Sequence, residues 1–252
     1  MSGSPRRHDG KEAADSVGRY GEKEQWVHTV FEGISDRYDL MNDLESFGLH
    51  RLWKRELVRR ASRGVPSDVL DIACGTGDIA LALARALTGS RIVGLDFSAN
   101  MLQVAQARMR GGAAHGRLTF VEGNASAIPF GDGSFDVATM SFGLRNMADY
   151  AQVLAEAYRV LRPGGKLLCL EASYPTAPVV RPVFRVYFKH LLPLLGGIVT
   201  KRTKEYRWLN DSTEAFVSKP QLAALFEAAG FSHVSYRSFL LGAAALHQGR
   251  KP

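Results

Sequence analysis

The feature that most constrains the fold of this chain is a glycine-rich turn between a short apolar run and an amphipathic helix. The apolar run, residues 68–73, predicts a buried strand, and residues 78–87 predict the helix that follows. The turn between them contains Gly75-Thr76-Gly77, whose small side chains let a ligand approach the backbone closely. Because the helix N-terminus points at the same place, these residues predict a ligand site at the carboxyl end of the strand.

Strands and helices alternate through the centre of the sequence. After the first strand, apolar runs predict strands at 91–95, 118–121, 134–141 and 166–170. Further helices are predicted over 150–161 and after Ser98, which can cap a helix that runs to about residue 110. Strands that are separated by helices form parallel βαβ units, so the predicted fold class is α/β with a doubly wound, mostly parallel sheet.

Turn and cap signals complete the predicted topology. Pro163-Gly164-Gly165 is expected to form a turn before the fifth strand. Residues 219–229 predict a helix with Gly230 as its C-terminal cap. Residues 234–239 and 243–248 then predict a closing pair of strands.

Charge and composition limit the partners of the chain. The net charge is +7 and the pI about 9.5, and a chain this basic can bind nucleic acid or anionic lipid. Cations cluster within residues 179–206, where they alternate with leucines and aromatic residues. This pattern is typical of a helix that contacts an anionic membrane surface, and a core helix with a solvated basic face fits it equally well. Nucleic acid is disfavoured because no aromatic-basic stacking platform accompanies the charge.

The compartment follows from what the sequence lacks. No run of eighteen apolar residues is present, and the N-terminus has no apolar stretch typical of a secretory signal. Cys74 and Cys169 lie far apart, without the spacing of a zinc site or a disulfide framework. We therefore expect no metal and a cytoplasmic protein, peripheral to the inner face of the membrane if the basic segment binds lipid.

Acidic residues around the glycine turn distinguish between two cofactors. Residues 75–80 satisfy the dinucleotide pattern G-x-G-x-x-A, which by itself leaves NAD and S-adenosylmethionine open. Asp71 and Asp78 place carboxylates beside the turn, where they disfavour a pyrophosphate and suit the sulfonium and amino groups of S-adenosylmethionine. Asp96, at the end of the second strand and just before Phe97, can accept hydrogen bonds from both ribose hydroxyls. A helix cap without ligand contact is the alternative role for Asp78.

Five segments are long and rich in rare residues: 38–44 (YDLMNDL), 46–55 (SFGLHRLWKR), 141–146 (SFGLRN), 158–165 (YRVLRPGG) and 245–249 (ALHQG). They resemble the signatures of the ubiquinone/menaquinone biosynthesis C-methyltransferase family, and the likeness runs from about residue 25 to the C-terminus. The resemblance implies a class I S-adenosylmethionine-dependent methyltransferase fold with N-terminal lid helices and a C-terminal antiparallel strand. It further implies methylation of a ring carbon of a polyprenylated quinol, namely demethylmenaquinol, a polyprenyl-methoxy-benzoquinol, or both.

The resemblance also assigns residues to the cofactor site. Carried over by position, the contacts are Thr76, Asp96, Asn124, Ala125 and Ser141, in addition to Asp71, Gly75, Gly77 and Phe97. Two positions depart from the family. Cys74 stands where many members have a glycine, a small-for-small change for which we expect packing in the turn. Tyr174 stands where a lysine is frequent, which leaves nearby substrate contacts open.

A single domain, residues 25–252, is expected after a tail. Residues 1–24 are polar and poor in large apolar side chains, which predicts disorder. A hydrophobic content of 46% is ordinary for a globular domain and can supply a sizeable core. The expected parts are lid helices, the cofactor-binding core, a helical segment facing substrate or membrane, and a closing helix with strands, at 25–64, 65–173, 174–217 and 218–252.

The predicted reaction needs a group that removes a phenolic proton. Arg145 and Asn146 follow the fourth strand, so they are expected to face the methyl group. Arg145 stays protonated, so it would stabilise a phenolate or act through water. Tyr38 and His50 come from the lid helices, and His50 titrates in the useful range. A structural role beside Trp53 is the alternative for His50.

Other functions share parts of this pattern. A small-molecule or sterol methyltransferase would not need segments 38–53 and 141–146, and an RNA methyltransferase would need an RNA-binding module that is absent from the sequence. An NAD-linked oxidoreductase is separable by cofactor binding. A non-enzymatic subunit is disfavoured because Gly75 and Asp96 are intact. The choice of quinol, the prenyl chain length and the formation of a homodimer are left open by the sequence.

Overall fold

In a computed structural model of the protein, the structure describes residues 46, 48–110, 116–173, 175, 182, 186 and 212–252. The helices are α1 (His50–Ala61), α2 (Asp78–Ala86), α3 (Ala99–Met109), α4 (Tyr150–Val160) and α5 (Lys219–Ala228). The strands are β1 (Asp68–Ile72), β2 (Arg91–Asp96), β3 (Leu118–Glu122), β4 (Phe135–Ser141), β5 (Leu161–Ala172), β6 (Ser232–Phe239) and β7 (Ala244–Arg250). The predicted tail, most of the predicted lid and nearly all of 174–217 lie outside the described residues.

The strands form one seven-stranded sheet in the order β3-β2-β1-β4-β5-β7-β6. Strands β1 to β5 pair in parallel, and β7 runs antiparallel to both β5 and β6. The strand order reverses between β1 and β4, and ligands of open α/β sheets bind at such a switch point, beyond the carboxyl ends of the strands. The predicted doubly wound sheet with an antiparallel C-terminal strand is confirmed.

Helices cover both faces of the sheet because the strands are apolar on both sides. In β1, Val69 packs with α1 and α2, whereas Leu70 and Ile72 pack with α4 and α5 on the opposite face. The side chain of Trp53 in α1 is buried and stacks on Phe239 at a centroid distance of 6.0 Å. Helix α1 is therefore part of a core layer, and the lid prediction for the residues before it falls outside the described part of the chain.

The expected turn at Pro163-Gly164-Gly165 is instead an irregularity inside β5. Phe135 of β4 pairs with Leu161, and the regular register resumes only where Val137 pairs with Lys166. The guanidinium of Arg162 bonds to Asp136 and Asp68 at 2.7 and 2.8 Å, which fixes the bulged residues against the sheet. The sequence motif resembles a turn, but pairing with β4 on both sides of it keeps the strand continuous.

Gly165 supplies a test of this bulge. A Cβ there would lie 2.7 Å from the Arg162 carbonyl oxygen and 3.1 Å from that of Asp136, so Gly165→Ala must displace backbone. We expect a loss of about 1–3 kcal/mol in the free energy of unfolding, measured by urea denaturation. Gly89→Ala is the control, since a Cβ there meets nothing within 4 Å, and its effect is expected within about 0.5 kcal/mol. Equal effects would contradict the tight bulge.

Candidate active site

The glycine turn after β1 adopts a backbone conformation that few residues tolerate. Gly75 and Gly77 have φ values of +54° and +84°, in the left-handed region that favours glycine. A Cβ on Gly77 would lie 3.0 Å from the side chains of Ala105 and Phe120, whereas one on Gly75 would meet nothing within 4 Å. Gly77 therefore packs against the fold, and Gly75 leaves space for a ligand.

Asp96 is bonded directly to this turn. Its Oδ2 accepts a hydrogen bond from the Gly75 N–H at 2.7 Å, and its Oδ1 accepts one from the Ser98 N–H at 3.0 Å. Ser98 also caps α3 as predicted, because its Oγ accepts the Met101 N–H. These two backbone N–H groups hold the buried Asp96 carboxylate in a fixed orientation at the end of β2, where the sequence predicts an acceptor for ribose hydroxyls.

A cleft opens beside the turn, at the switch point of the sheet. Its lining includes four residues of the predicted cofactor site, which the fold brings together from β1, the turn and the end of β4: Asp71, Gly75, Thr76 and Ser141. Within the described chain, Asp71 Oδ2 and Ser141 Oγ are buried without a hydrogen-bond partner. Buried polar atoms are normally satisfied, so two open acceptors in one cleft indicate a missing donor-bearing or cationic ligand.

Asp71 is the most perturbed acid of the cleft. Burial raises the pKa of its carboxyl group to about 7, against hydrogen bonds from Thr139 and from the Ala80 backbone and the charge of Lys54, which all lower it. Thr139 Oγ1 donates to Asp71 Oδ1 at 2.7 Å, so the carboxyl group is held in one orientation, and the buried Oδ2 makes no hydrogen bond of normal geometry within the described residues. A cationic ligand would favour the ionised carboxylate, which burial disfavours.

Asp78 is compensated by two cations that the sequence analysis missed. Its oxygens accept hydrogen bonds from Lys54 at 2.9 Å and from Arg108 at 3.0 Å. Burial opposes ionisation of Asp78, yet these cations outweigh it and lower the pKa. The charge argument from the sequence is thus corrected, because Asp71 rather than Asp78 carries the uncompensated acidity. Arg108 also donates to Thr76 Oγ1 at 2.9 Å, so the predicted Thr76 hydroxyl is already engaged.

The loop after β3 holds Asn124 and Ala125 beside the Asp96 backbone. The Gly123 N–H donates to the Asp96 carbonyl oxygen at 2.9 Å, while Asn124 Oδ1 accepts the Ser126 N–H at 2.8 Å. Further along, Arg159 donates to the carbonyl oxygens of Ile128 and Phe130. The 158–165 segment therefore stabilises this loop from behind. Phe97, directly after Asp96, is half-buried.

The ends of β1 and β4 are pressed together at the cleft. Ala73 and Phe142 have φ values of +53° and +58°, which side-chain-bearing residues rarely adopt. A Cβ on Gly143 would lie 2.8 Å from the Ala73 Cβ, so only glycine fits this approach. Strained backbone of this kind is often found at functional sites. In the sequence, Gly143 is the one sign of this strain.

Arg145 lies behind the cleft rather than along its lining. Its guanidinium donates to Glu171 Oε2 at 2.8 Å, and both side chains are at most 2% exposed. Glu171 Oε1 also accepts the Arg145 backbone N–H at 3.3 Å, so the pair fixes the turn Leu144–Asn146 to β5. The expectation that Arg145 faces the methyl group stays a prediction, and the structure adds that its guanidinium is bonded to Glu171, a residue that the sequence did not point to.

Of the other predicted catalytic residues, the structure describes Asn146 and His50 but not Tyr38. Asn146 is buried at the end of the same turn, and among the described residues its Oδ1 has no hydrogen-bond partner. The His50 ring is buried, with Nδ1 at 2.8 Å from Ser46 Oγ, and its proximity is one of the causes that lower the pKa of Asp78. Tyr38 lies outside the described residues.

Within the described residues, no group of three or more His, Cys, Asp or Glu side chains could hold a metal ion. Over the same residues, no helix has the length and apolar character needed to cross a bilayer.

The strand order, the glycine turn and the acid at the end of β2 define a class I methyltransferase fold. Solved structures agree: the YcgJ protein of Bacillus subtilis aligns with a TM-score of 0.57 and 20% identity, over 79% of this chain and 97% of that one. A SAM-dependent methyltransferase of Thermotoga maritima aligns with a TM-score of 0.61 and 22% identity, over 89% and 99%.

Within this class, the chain belongs to the ubiE/COQ5 methyltransferase family, whose model matches residues 19–251. It is 44% identical over 232 residues to the demethylmenaquinone methyltransferase of Shouchella clausii, which covers 91% of this chain and 98% of that protein. The corresponding protein of Staphylococcus haemolyticus is 43% identical over 230 residues, or 91% and 95% of the two chains. The resemblance stated from the sequence is confirmed.

The state of Asp71 predicts how binding of S-adenosylmethionine depends on pH. Because the raised pKa is about 7, the carboxyl group is protonated below that pH and attracts a cation only above it. We expect cofactor affinity to rise as pH increases through about 7, and to be flat and weaker, by roughly 10- to 100-fold at the high end, in Asp71→Asn. Calorimetric titration below the pKa of the cofactor's amino group, about 8, measures this.

The same shift predicts the opposite trend for the ligand-free protein. A raised folded-state pKa stabilises the fold below the unfolded value of 3.8, and this contribution is lost as pH rises through about 7. Asp71→Asn is therefore expected to keep its stability where the parent loses some. Asp132→Asn, at a side chain that is 80% exposed, is the matched control. A pH-independent affinity in the parent would contradict both trends.

The Arg145–Glu171 pair gives a second test of the site. Glu171→Gln leaves a buried guanidinium without its counter-charge, which is expected to cost about 3–5 kcal/mol in urea denaturation. Arg145→Met/Glu171→Leu removes both charges, so it is expected to be more stable than either single charge deletion. Additive losses in this cycle would show that the two groups do not act as a pair.

Proposed function

We propose that this protein transfers a methyl group from S-adenosylmethionine to a ring carbon of demethylmenaquinol. The observation that carries the substrate is the close similarity, over 91% of the chain, to proteins named demethylmenaquinone methyltransferase. The assignment of the cofactor is supported by the cleft. There, Asp71 Oδ2 and Ser141 Oγ make no hydrogen bond within the described residues, beside a glycine turn that is bonded to Asp96.

The residues of the cleft fit each part of the cofactor. Asp96 would accept the ribose hydroxyls, and the loop at Asn124 and Ala125 would border the adenine. Asp71 would face the positive end of the cofactor, and Gly75 would allow close approach to its backbone. When bound, S-adenosylmethionine supplies an electrophilic methyl group on a sulfonium.

The protein's own contribution is positioning and proton removal. Holding the ring carbon in line with the methyl group, away from water, is worth roughly 7–11 kcal/mol of the barrier. The rigid turn Leu144–Asn146 follows β4 and its open Ser141, so it would set the edge of the ring pocket. We assign Asn146 Oδ1 as the acceptor for a quinol hydroxyl and Arg145 as the residue that positions it. Tyr38 and His50 are the proposed proton acceptors, a role typically worth about 10²–10⁴ in rate.

The polyprenyl tail of the substrate needs an apolar path to a bilayer. The segment 179–206, rich in leucine, aromatic and basic residues, is our proposal for lining that path and for contacting anionic headgroups. This segment lies outside the described residues, so its composition alone supports the assignment.

The proposal is tested in a bacterial strain that lacks its own demethylmenaquinone methyltransferase. Expression of this chain is expected to convert the accumulated demethylmenaquinone to menaquinone, detected by lipid extraction and mass spectrometry. Asp96→Ala should leave the precursor unchanged, because it removes the ribose acceptor, whereas Asp132→Ala should complement fully.

A biochemical arm separates substrate from cofactor. The purified protein is given methyl-labelled S-adenosylmethionine with demethylmenaquinol in detergent micelles, or with the corresponding benzoquinol. Label in the naphthoquinol product is expected. Cofactor binding without transfer to this quinol, together with failure to complement, would overturn the assigned substrate.

A further inference from the structure

A basic groove runs between α1 and α2 on the outer face of the sheet. Its rim carries a ladder of arginines at intervals of four along α1 and just beyond its end, with one more from α2: Arg51, Arg55, Arg59, Arg63 and Arg85. A spacing of four places side chains on one face of a helix. All five arginines are exposed.

Part of this charge is not compensated by the described residues. Across the described chain, Arg55, Arg63 and Arg85 make no ion pair or side-chain hydrogen bond. Arg59 pairs with Glu56 on the flank of the groove, and Asp78, the acid among the lining residues, is compensated by Lys54 and Arg108. The groove therefore presents a net positive surface that an anionic partner would neutralise.

The floor of the groove is apolar. It is formed by Val58, Ile79, Ala82 and Ala86, and no aromatic side chain is among its described lining residues. Leu52, on the same side of α1 as Arg55 and Arg59, is 55% exposed, which is unusual for a large apolar residue on a helix that is otherwise packed. Cations that flank exposed leucine are typical of helices lying in a membrane interface, whereas single-stranded nucleic acid requires aromatic rings for stacking.

The groove lies next to the cofactor cleft. Lys54, Asp78 and Ile79 line both of them, so whatever occupies the groove lies next to the cofactor turn. An enzyme that takes a polyprenylated substrate from a bilayer must hold its cleft close to that bilayer. A lipid surface in the groove would meet this requirement.

We propose that the groove between α1 and α2 docks the protein onto a bilayer containing anionic phospholipid, with the arginine ladder on the headgroups and Leu52 in the interface. The inference rests on the proposed function for its biological purpose, but the binding it describes is measurable without any methyl transfer. It also assigns the docking surface to described residues, separate from the segment 179–206.

The experiment measures co-sedimentation of the full-length protein with vesicles of phosphatidylcholine, with or without phosphatidylglycerol. The test variant is Arg55→Gln/Arg85→Gln, which removes one unpaired charge from each wall of the groove. The control variant is Arg110→Gln/Arg250→Gln, which removes the same charge at exposed positions elsewhere. We expect binding to the anionic vesicles alone, weakened about tenfold or more in the test variant and much less in the control, because each cation at a membrane surface contributes about 1 kcal/mol.

Activity assays separate this inference from the proposed function. Both variants should methylate demethylmenaquinol in detergent micelles at the parental rate, and the test variant alone should be slow when the quinol is embedded in anionic vesicles. If the test and control variants bound the vesicles equally, the groove would not be the docking surface, and the enzyme assignment would be unaffected. The inference would also be overturned if the test variant lost binding to a single-stranded oligonucleotide while it kept its binding to the vesicles. Absence of micellar activity in the parent would instead refute the proposed function.

Discussion

The hydrogen bond from the Gly75 N–H to Asp96 Oδ2 is the interaction on which the site depends. It joins the turn after β1 to the end of β2 at 2.7 Å, and it forms only because the backbone at Gly75 is left-handed. The approach also requires Gly94, where a Cβ would lie 2.7 Å from the Phe120 ring and 2.9 Å from Cys74 Sγ. Cys74 thus fills space next to the turn, which is the packing role expected for it, and its pKa is raised well above the usual value by burial.

Three acids take part in this hydrogen bond or lie next to it, and each has a different environment. Asp96 accepts backbone N–H groups on both oxygens, and Asp78 is bonded to Lys54 and Arg108. Asp71 has one oxygen bonded to Thr139 and the other open. Asp96 is therefore fixed in orientation, Asp78 has its charge compensated, and Asp71 is the acid whose charge can respond to a ligand. A cation entering the cleft meets its strongest partner in Asp71, because Asp78 is paired with two cations and both oxygens of Asp96 accept backbone N–H groups.

Local signals in the sequence predicted most of the fold, since strand and helix bounds follow from hydrophobic periodicity and from caps such as Ser98. The irregular start of β5 was not predictable, because the turn-like residues 163–165 are held in the sheet by Arg162 and by pairing with β4. For the site, residues of the turn and of the strand ends were predictable from the motif. Lys54 and Arg108 were not, because their contacts with Asp78 span 24 and 30 positions and leave no periodic trace.

Arg145 shows how a charged residue at the end of a strand can serve the fold as well as a site. Its position after β4 and its charge both suggested a catalytic group, but Glu171 of β5 lies close enough to take that charge. A buried ion pair adds little net stability, yet losing one partner is costly, so such a pair persists where geometry must be fixed. The pair ties the turn Leu144–Asn146 to the sheet through both a side chain and a backbone N–H. Because the guanidinium is so engaged and stays protonated, it is a poor acceptor for a phenolic proton and a good anchor for the turn.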